Sequence, residues 1–576
     1  MTSVPKRDGH VIASAIARCR SGFLNAGVVS LVLNLLLLTG PFYMLQVYDR
    51  VLAAHSIPTL VAMSLLALLL LSGYGALDLI RTRLMGRMGN VLDLKLADMA
   101  FETQANSLHA KSEAGRDALR DLGVVRQFLA GPAASGLMDV PWMPIYVGIV
   151  YLLHPVLGVM AIAASIVFIM IAALNEWTSK PLAREADGLR QQESTHIADV
   201  RTNIDSVRAM GMTGSLKDLW SATHASLLDA SQSASDRNTN YSVLSKTLRL
   251  ILQSSILGVG AYLVLLNELS GGALIAASII FARALAPIDQ AVAQWRTILA
   301  TRRSWSNLKQ VAAAYVPPAQ PMPLQAARST LDVRNLAVKT ADGKHQILQP
   351  ISFNAVAGDG VGLIGPSGAG KTTLLRALVG AMLPSGGEIR LDGATLDQWS
   401  ESARGAQIGY LSQYVQLLDG TLAQNISRFR ASADPEAIVA AAKMAGVHDL
   451  ILSFPAGYET RVGSASVMLS AGQKQRVGLA RAVFGKPFLV VLDEPNAHLD
   501  TAGEAALLGA LRQLKAAGSV IIVAAHRSKV LDEVNKVLLV QNGRAEAFGD
   551  KDEVLNSLIA KSRQQQTERG LHVVGA

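Results

Sequence analysis

Gly365-Pro366-Ser367-Gly368-Ala369-Gly370-Lys371-Thr372 follows the pattern G-x-x-x-x-G-K-[ST]. The chemistry of that spacing is phosphate binding. Small residues let successive backbone N–H groups turn inward around phosphate oxygens, and the helix that follows adds positive partial charge at its N-terminus. Lys371 is placed to reach the β- and γ-phosphates and Thr372 to ligate Mg²⁺. Thr373 to Val379 reads as the helix and Val361 to Ile364 as the preceding strand, which is the context the pattern needs. A second run, Val490-Val491-Leu492-Asp493-Glu494-Pro495, is an apolar strand that ends in two carboxylates. Successive side chains at a strand tip point to opposite sides. One carboxylate, Asp493, suits the Mg²⁺ shell, and the other, Glu494, suits orienting or deprotonating an attacking water. A solvated acidic turn is the plain alternative, and the phosphate loop upstream argues against it. Together the two runs spell hydrolysis of a nucleoside triphosphate.

The elements that must position these groups come in two kinds. Of the 576 residues, 50% are hydrophobic and only 17% are charged, too apolar for a wholly soluble chain. The apolar excess lies before residue 300. Gly27–Gln46 and Ile57–Leu77 are uncharged. Val140–Asn175 is uncharged too and long enough for two spans, with His154-Pro155 as a tight turn between them. Leu250–Asn267 and Leu269–Ile288 complete six spans, the last interrupted only by Arg283. In lipid these must be helices, because strands would leave backbone groups unsatisfied. Lys and Arg concentrate in the stretches Asp78–Asp139 and Glu176–Arg249 and are nearly absent from the opposite loops. The positive-inside rule therefore places the N-terminus and both long loops in the cytoplasm, with the loops expected as helical extensions of the spans. The net charge of +9 is accounted for by these loops and does not point to nucleic acid as a partner. The single cysteine, Cys19, excludes an intrachain disulfide. Met1–Ser21, with four basic residues and no small-residue cleavage site, reads as a retained segment rather than a cleaved leader.

A Pro-rich run, Val316–Pro323, breaks the helical pattern. After it, short β-type runs alternate with helices, and Val361–Ile364, Phe488–Leu492 and Val520–Ala524 look like buried parallel strands. The expected fold is an α-helical membrane domain of six spans followed by an α/β P-loop domain. The expected boundaries are 1–22 for an N-terminal segment and 23–315 for the membrane domain. A linker at 316–328, an ATPase domain at 329–560 and a polar tail at 561–576 follow.

Leu469-Ser470-Ala471-Gly472-Gln473 resembles the ABC ATPase signature L-S-G-G-Q, with Ala471 in place of a glycine. The resemblance implies ATP as the nucleotide and a homodimer in which Ser470, Gly472 and Gln473 serve the ATP held by the partner. A methyl at Ala471 is expected to crowd the backbone there. Gln413, in Tyr410-Leu411-Ser412-Gln413, matches the family's Q-loop glutamine, implying contact with Mg²⁺ and a relay to the membrane domain. His526, behind strand Val520–Ala525, matches the switch histidine, and Asn496–Asp500 matches the D-loop. The phosphate-loop residues Gly365, Pro366, Ser367, Gly368, Ala369, Gly370, Lys371, Thr372 and Thr373 would hold the nucleotide. The aromatic residue that exporters of this family place near the position of Thr340 to stack on adenine is missing. Glu459–Gly463 resembles the exporter-specific X-loop.

The order of six spans and then one ATPase is similar to bacterial exporter half-transporters. Gly40–Leu52 resembles the first span of type I secretion permease/ATPases, Met138–Tyr146 their third, and Arg208–Met212 their second cytoplasmic turn. The segment ahead of the first span is shorter than the peptidase-like domain of some relatives, which points to the PrtD-like protease and lipase exporters. That branch implies an inner-membrane homodimer, a periplasmic membrane-fusion adaptor, a TolC-like outer-membrane channel and a secreted protein read at its C-terminal end. Lys246 and Arg249 are expected near the inner mouth, as attractors of acidic cargo or as interfacial anchors. Asp49-Arg50 reads either as an exposed loop pair or as an outer gate. Arg283 costs about 2.5 kcal/mol or more in a span and should face a cavity or a partner helix. A lipid or drug exporter of the same architecture is the alternative reading.

Overall fold

The computed structural model describes residues 10–106, 115, 117–315, 324–340, 343–463, 468–524 and 528–557. The chain divides into two compact units, Met1–Val316 and Pro317–Ala576. The Pro-rich run 316–323, the tail from 558 onward and His526 lie outside the described residues.

The described regular elements of the first unit are all helices. Among the described residues, six helical segments are long and apolar enough to cross a membrane. Three of them run far beyond a bilayer: Ile57–Asn106, Pro155–Thr202 and Thr213–Leu265 contain 50, 48 and 53 residues. At about 1.5 Å per residue each extends roughly 70–80 Å, so the charged stretches between the spans are helical continuations of them. The turn at His154 is sharp because His154 takes an extended backbone and Pro155 opens the next helix. The His154 ring caps that helix by accepting from Val156 N–H at 3.2 Å. Leu65, Leu69 and Leu152 are 61%, 69% and 85% exposed, an outward apolar surface that suits lipid.

At the short-loop end, the first span carries a π-turn over Val47–Val51 that presents Asp49 to the start of the last span. Asp49 accepts from Gly272 N–H at 2.7 Å and from the Ser270 hydroxyl. A side chain at Gly272 would meet Asp49 Oδ1 and Leu45 O, both at 2.6 Å, so glycine permits this approach. Asp49 is therefore a tie between the first and last spans, which neither expectation for the Asp49-Arg50 pair included.

A buried polar cluster stands at the other end of the spans. Arg81, only 6% exposed, donates to Asp139 at 2.8 Å, to Asp78 at 2.8 Å and to Ser30 at 3.0 Å. Asn34 donates to Asp139 at 2.8 Å and accepts from the Tyr146 hydroxyl at 2.9 Å. Arg249 forms an ion pair with Asp289 at 2.7 Å. Arg249 is half-buried and shares its charge with this carboxylate, a partner that neither expectation for it included.

The second unit is an α/β domain built on two main sheets. A six-stranded sheet has the spatial order Arg544–Asp550, Lys536–Gln541, Gly360–Ile364, Val520–Ala524, Leu489–Asp493, Ile408–Leu411. Its inner strands are parallel and buried along their length, as continuous Val/Ile/Leu runs require. A four-stranded antiparallel sheet is led by Thr330–Lys339 between Gln346–Val356 and Gly386–Leu391. Arg428, in a left-handed conformation, donates to the carbonyls of Gly405, Ile408, Arg481 and Ala482 and stitches the sheet's outer strand to the helix over Ala471–Val483.

Candidate functional site

The parallel register fixes where the chemistry gathers. Asp493 pairs with Ala524, and Ala524 pairs with Leu363, so the ends of three strands are level. In an open parallel sheet, ligands sit beyond those carboxyl ends. The phosphate loop leaves Ile364 there and turns directly into the helix Lys371–Leu378. Lys371 is 8% exposed, and its ammonium donates to Gly365 O at 2.7 Å and to Pro366 O at 2.9 Å, inside the curve of its own loop. Burial pulls the Lys371 pKa down, and Glu494 and Asp493 pull it back up. A triphosphate would supply the anionic oxygens this cation lacks.

Thr372 Oγ1 donates to Asp493 Oδ1 at 3.4 Å. Asp493 is 1% exposed, and among the described residues its Oδ2 has no hydrogen-bond partner. Burial raises its pKa, against the Thr372 hydroxyl bond. An orphaned, buried carboxylate oxygen beside a threonine hydroxyl is a hard-oxygen donor set of the kind Mg²⁺ takes when substrate phosphates complete its shell. Among the described residues there is no cluster of three His, Cys, Asp or Glu that would cage a metal without a substrate.

Glu494 follows Asp493, the last residue of its strand, with its backbone turned to φ +49. Its N–H remains bonded to Ala524 O at 3.0 Å, and its Oε2 accepts from Gln413 Nε2 at 3.1 Å. Thus Gly365–Thr372, Gln413, Asp493 and Glu494 meet at one sheet edge. Gln413 bonds to the carboxylate Glu494, whereas the sequence reading assigned it to Mg²⁺.

The signature segment is tied elsewhere. Ser470 and Gln473 form a reciprocal capping box at the start of the helix Ala471–Val483, and neither bond reaches the phosphate loop. Ala471 is exposed in the first turn of that helix. Gly472 is the constrained position: a Cβ there would lie 2.6 Å from His498 O in the Asn496–Asp500 turn. Gln475, 1% exposed, donates to Pro495 O at 3.0 Å and so joins the signature helix to the segment that carries Asp493 and Glu494. Arg476 pairs with Asp500, which also caps the next helix by accepting from Gly503 N–H. The sequence reading missed Gln475. Its signal was a polar residue beside the small and apolar side chains of that helix's buried face.

In the membrane unit, Arg283 lines a polar cavity of about 420 Å³ with Tyr74, Asp78, Arg81, Asp139 and Tyr146. Among the described residues it makes no ion pair, which agrees with a charge that faces open space rather than lipid.

Residues 348–497 match the ABC transporter family. The chain is 44% identical to the type I secretion system ATP-binding protein PrsD of Rhizobium meliloti, over 97% of this chain and 96% of that protein. This chain belongs to the type I secretion ABC transporters. More distant members of the family are the exotoxin translocation ATP-binding protein PaxB of Pasteurella aerogenes and the cyclolysin secretion/processing ATP-binding protein CyaB of Bordetella pertussis. Each is 25% identical, and the alignments cover 97% and 94% of this chain and 79% and 77% of theirs. A bacterial Atm1-family ABC exporter with ATP bound shares the fold, with a TM-score of 0.81, 22% identity, and coverage of 96% of this chain and 99% of that one. This secretion ABC transporter is a multi-pass membrane protein that binds ATP and couples its hydrolysis to type I secretion.

Proposed function

We propose that this chain works as a homodimer in a bacterial inner membrane and exports an unfolded polypeptide recognised at its C-terminal end. Export is a single step, through a periplasmic membrane-fusion adaptor and a TolC-like outer-membrane channel. In this reading the phosphate-loop residues Gly365 to Thr373 bind ATP. Thr372, Asp493 and Gln413 hold the Mg²⁺ site, and Glu494 orients the attacking water with His526 beside the γ-phosphate. Ser470, Gly472 and Gln473 close over the ATP of the partner subunit. Residues 23–315 form the membrane domain and 329–560 the ATPase, joined by the linker 316–328.

The observation that carries the reading is the convergence of Lys371, Thr372, Asp493, Glu494 and Gln413 at one sheet edge, in a chain similar to PrsD along nearly its whole length. The signature supports the dimer, because among the described residues the bonds of Ser470 and Gln473 run between each other and not to the phosphate loop of their own chain.

The test is secretion by a heterologous bacterium that expresses the chain with its adaptor, channel and cargo. Cargo in the medium with wild-type protein, and none with Glu494→Gln, is expected. Equal secretion of a cargo stripped of its C-terminal segment would remove C-terminal recognition, and lipid flipping without an adaptor would favour a lipid exporter.

A further inference from the structure

The helices Pro155–Thr202, Trp295–Ala314 and Ala118–Ala130 enclose a groove of about 940 Å³ that the ATPase site does not use. Six cations line it: Lys180, Arg184, Arg190, Arg296, Arg302 and Arg303. Only two carboxylates answer them. Glu176 takes Arg302 at 2.8 Å, and Asp187 takes Arg303 and, at 3.3 Å, Arg190. Among the described residues, Lys180, Arg184 and Arg296 have no ion pair or hydrogen bond, and all three are exposed. Val124 and Phe128 of the helix Ala118–Ala130 form an apolar wall, to which Leu299 adds from the helix that carries Arg296.

Depth identifies the occupant. From Pro155 to Asn175 the long helix carries no charge. At about 1.5 Å per residue that stretch covers the roughly 30 Å hydrocarbon core. The charges therefore begin where the core ends. Trp177 stands at that boundary, 77% exposed, as interfacial tryptophans do. Lys180 and Arg184 follow one and two turns further on, about 7 and 13 Å along the helix from the end of the core, from where their long side chains can reach back to lipid phosphates. An acidic peptide would need cations but neither this depth nor an apolar wall.

We infer that this groove binds an anionic phospholipid, with Lys180, Arg184 and Arg296 on the phosphate and the apolar wall against the glycerol and upper acyl chains. Basic pockets between spanning helices at the membrane surface hold such headgroups. The inference rests on the membrane placement of the chain and not on what it exports.

The experiment is native mass spectrometry of the full-length transporter, released from bilayers of mixed phosphatidylglycerol, cardiolipin and phosphatidylethanolamine. Wild-type protein should retain the anionic lipids over phosphatidylethanolamine by about tenfold or more, given two to three cations at the surface. Arg184→Gln with Arg296→Gln should remove most of that preference, and Arg184→Lys with Arg296→Lys should keep it. Retained ATPase activity checks that each variant is assembled. If the double glutamine variant does not assemble, Lys180→Gln and Arg184→Gln singly should each lower the preference several-fold. Unchanged lipid preference in the glutamine variants overturns the proposal. So does retention of polyglutamate or inorganic phosphate in place of lipid, since either would make the groove a site for acidic peptide or free anion.

Discussion

Gln413 Nε2 donates to Glu494 Oε2 at 3.1 Å, joining a loop that leaves one strand of the six-stranded sheet to the carboxylate at the tip of its neighbour. Asp493 has a different partner, its Oδ1 accepting from the Thr372 hydroxyl at 3.4 Å, so the two adjacent carboxylates are engaged by different elements.

Glu494→Gln should lower steady-state ATP hydrolysis by about 10²-fold or more, the usual contribution of a positioned base, while ATP still binds. Lys371→Ala should lose both hydrolysis and tight binding, because it removes the cation that the loop carbonyls of Gly365 and Pro366 hold in place. ATPase assays beside nucleotide titrations separate the two. Near-normal turnover in Glu494→Gln would remove Glu494 from the reaction.

Mixing wild-type with Ser470→Arg subunits should depress ATPase activity below the wild-type fraction present, because each defective signature also spoils its partner's site. A strictly linear decline with mutant content would mean independent protomers.

Arg81 and Asp139 should show strong coupling. Removing Arg81 leaves the largely buried Asp139 without its cation, at a cost of up to about 3–5 kcal/mol, whereas removing Asp139 costs less because Arg81 keeps Asp78 at 2.8 Å. Arg81→Ala and Asp139→Ala should each lower thermal stability in detergent, and the double variant should lose less than the sum. Additive losses would show that the pair does not couple.

Acid should weaken the ATPase domain through Asp359. Burial alone would raise its pKa, but Lys536 at 2.8 Å, the Val356 N–H and Asn535 outweigh burial and hold it below the ordinary carboxylate range. The folded value lies below the unfolded one, so the stabilisation is present above the unfolded value of about 3.9 and is lost as pH falls through the folded value. In thermal unfolding of the full chain, Asp359→Asn should reduce stability at pH 7 and flatten its fall below about pH 4. An unchanged slope would assign the acid sensitivity to other groups.

The sequence made the six spans and the nucleotide loop legible because both rest on local rules: apolar runs as long as a bilayer, and a glycine pattern between a strand and a helix. Side-chain partners were not legible. Arg81 read as one more basic residue of a cytoplasmic stretch, yet it is buried against Asp139, a partner 58 positions away. Arg249 read as an attractor of cargo or an interfacial anchor and is paired with Asp289. Asp49 read as part of a loop and holds the start of the last span. Each depends on helices meeting in space, which periodicity along one helix does not encode. Gln475 was hidden differently. Its role is set by a backbone carbonyl, and carbonyls leave no mark in a sequence.

The most direct test of ATP-driven export is transport in proteoliposomes that contain the purified chain, its adaptor and channel, and a labelled polypeptide cargo. Cargo should become protected only with ATP and Mg²⁺, not with Glu494→Gln protein, and only when its C-terminal segment is present. Protection that persists with Glu494→Gln protein, or that proceeds at the full rate for the truncated cargo, would contradict it.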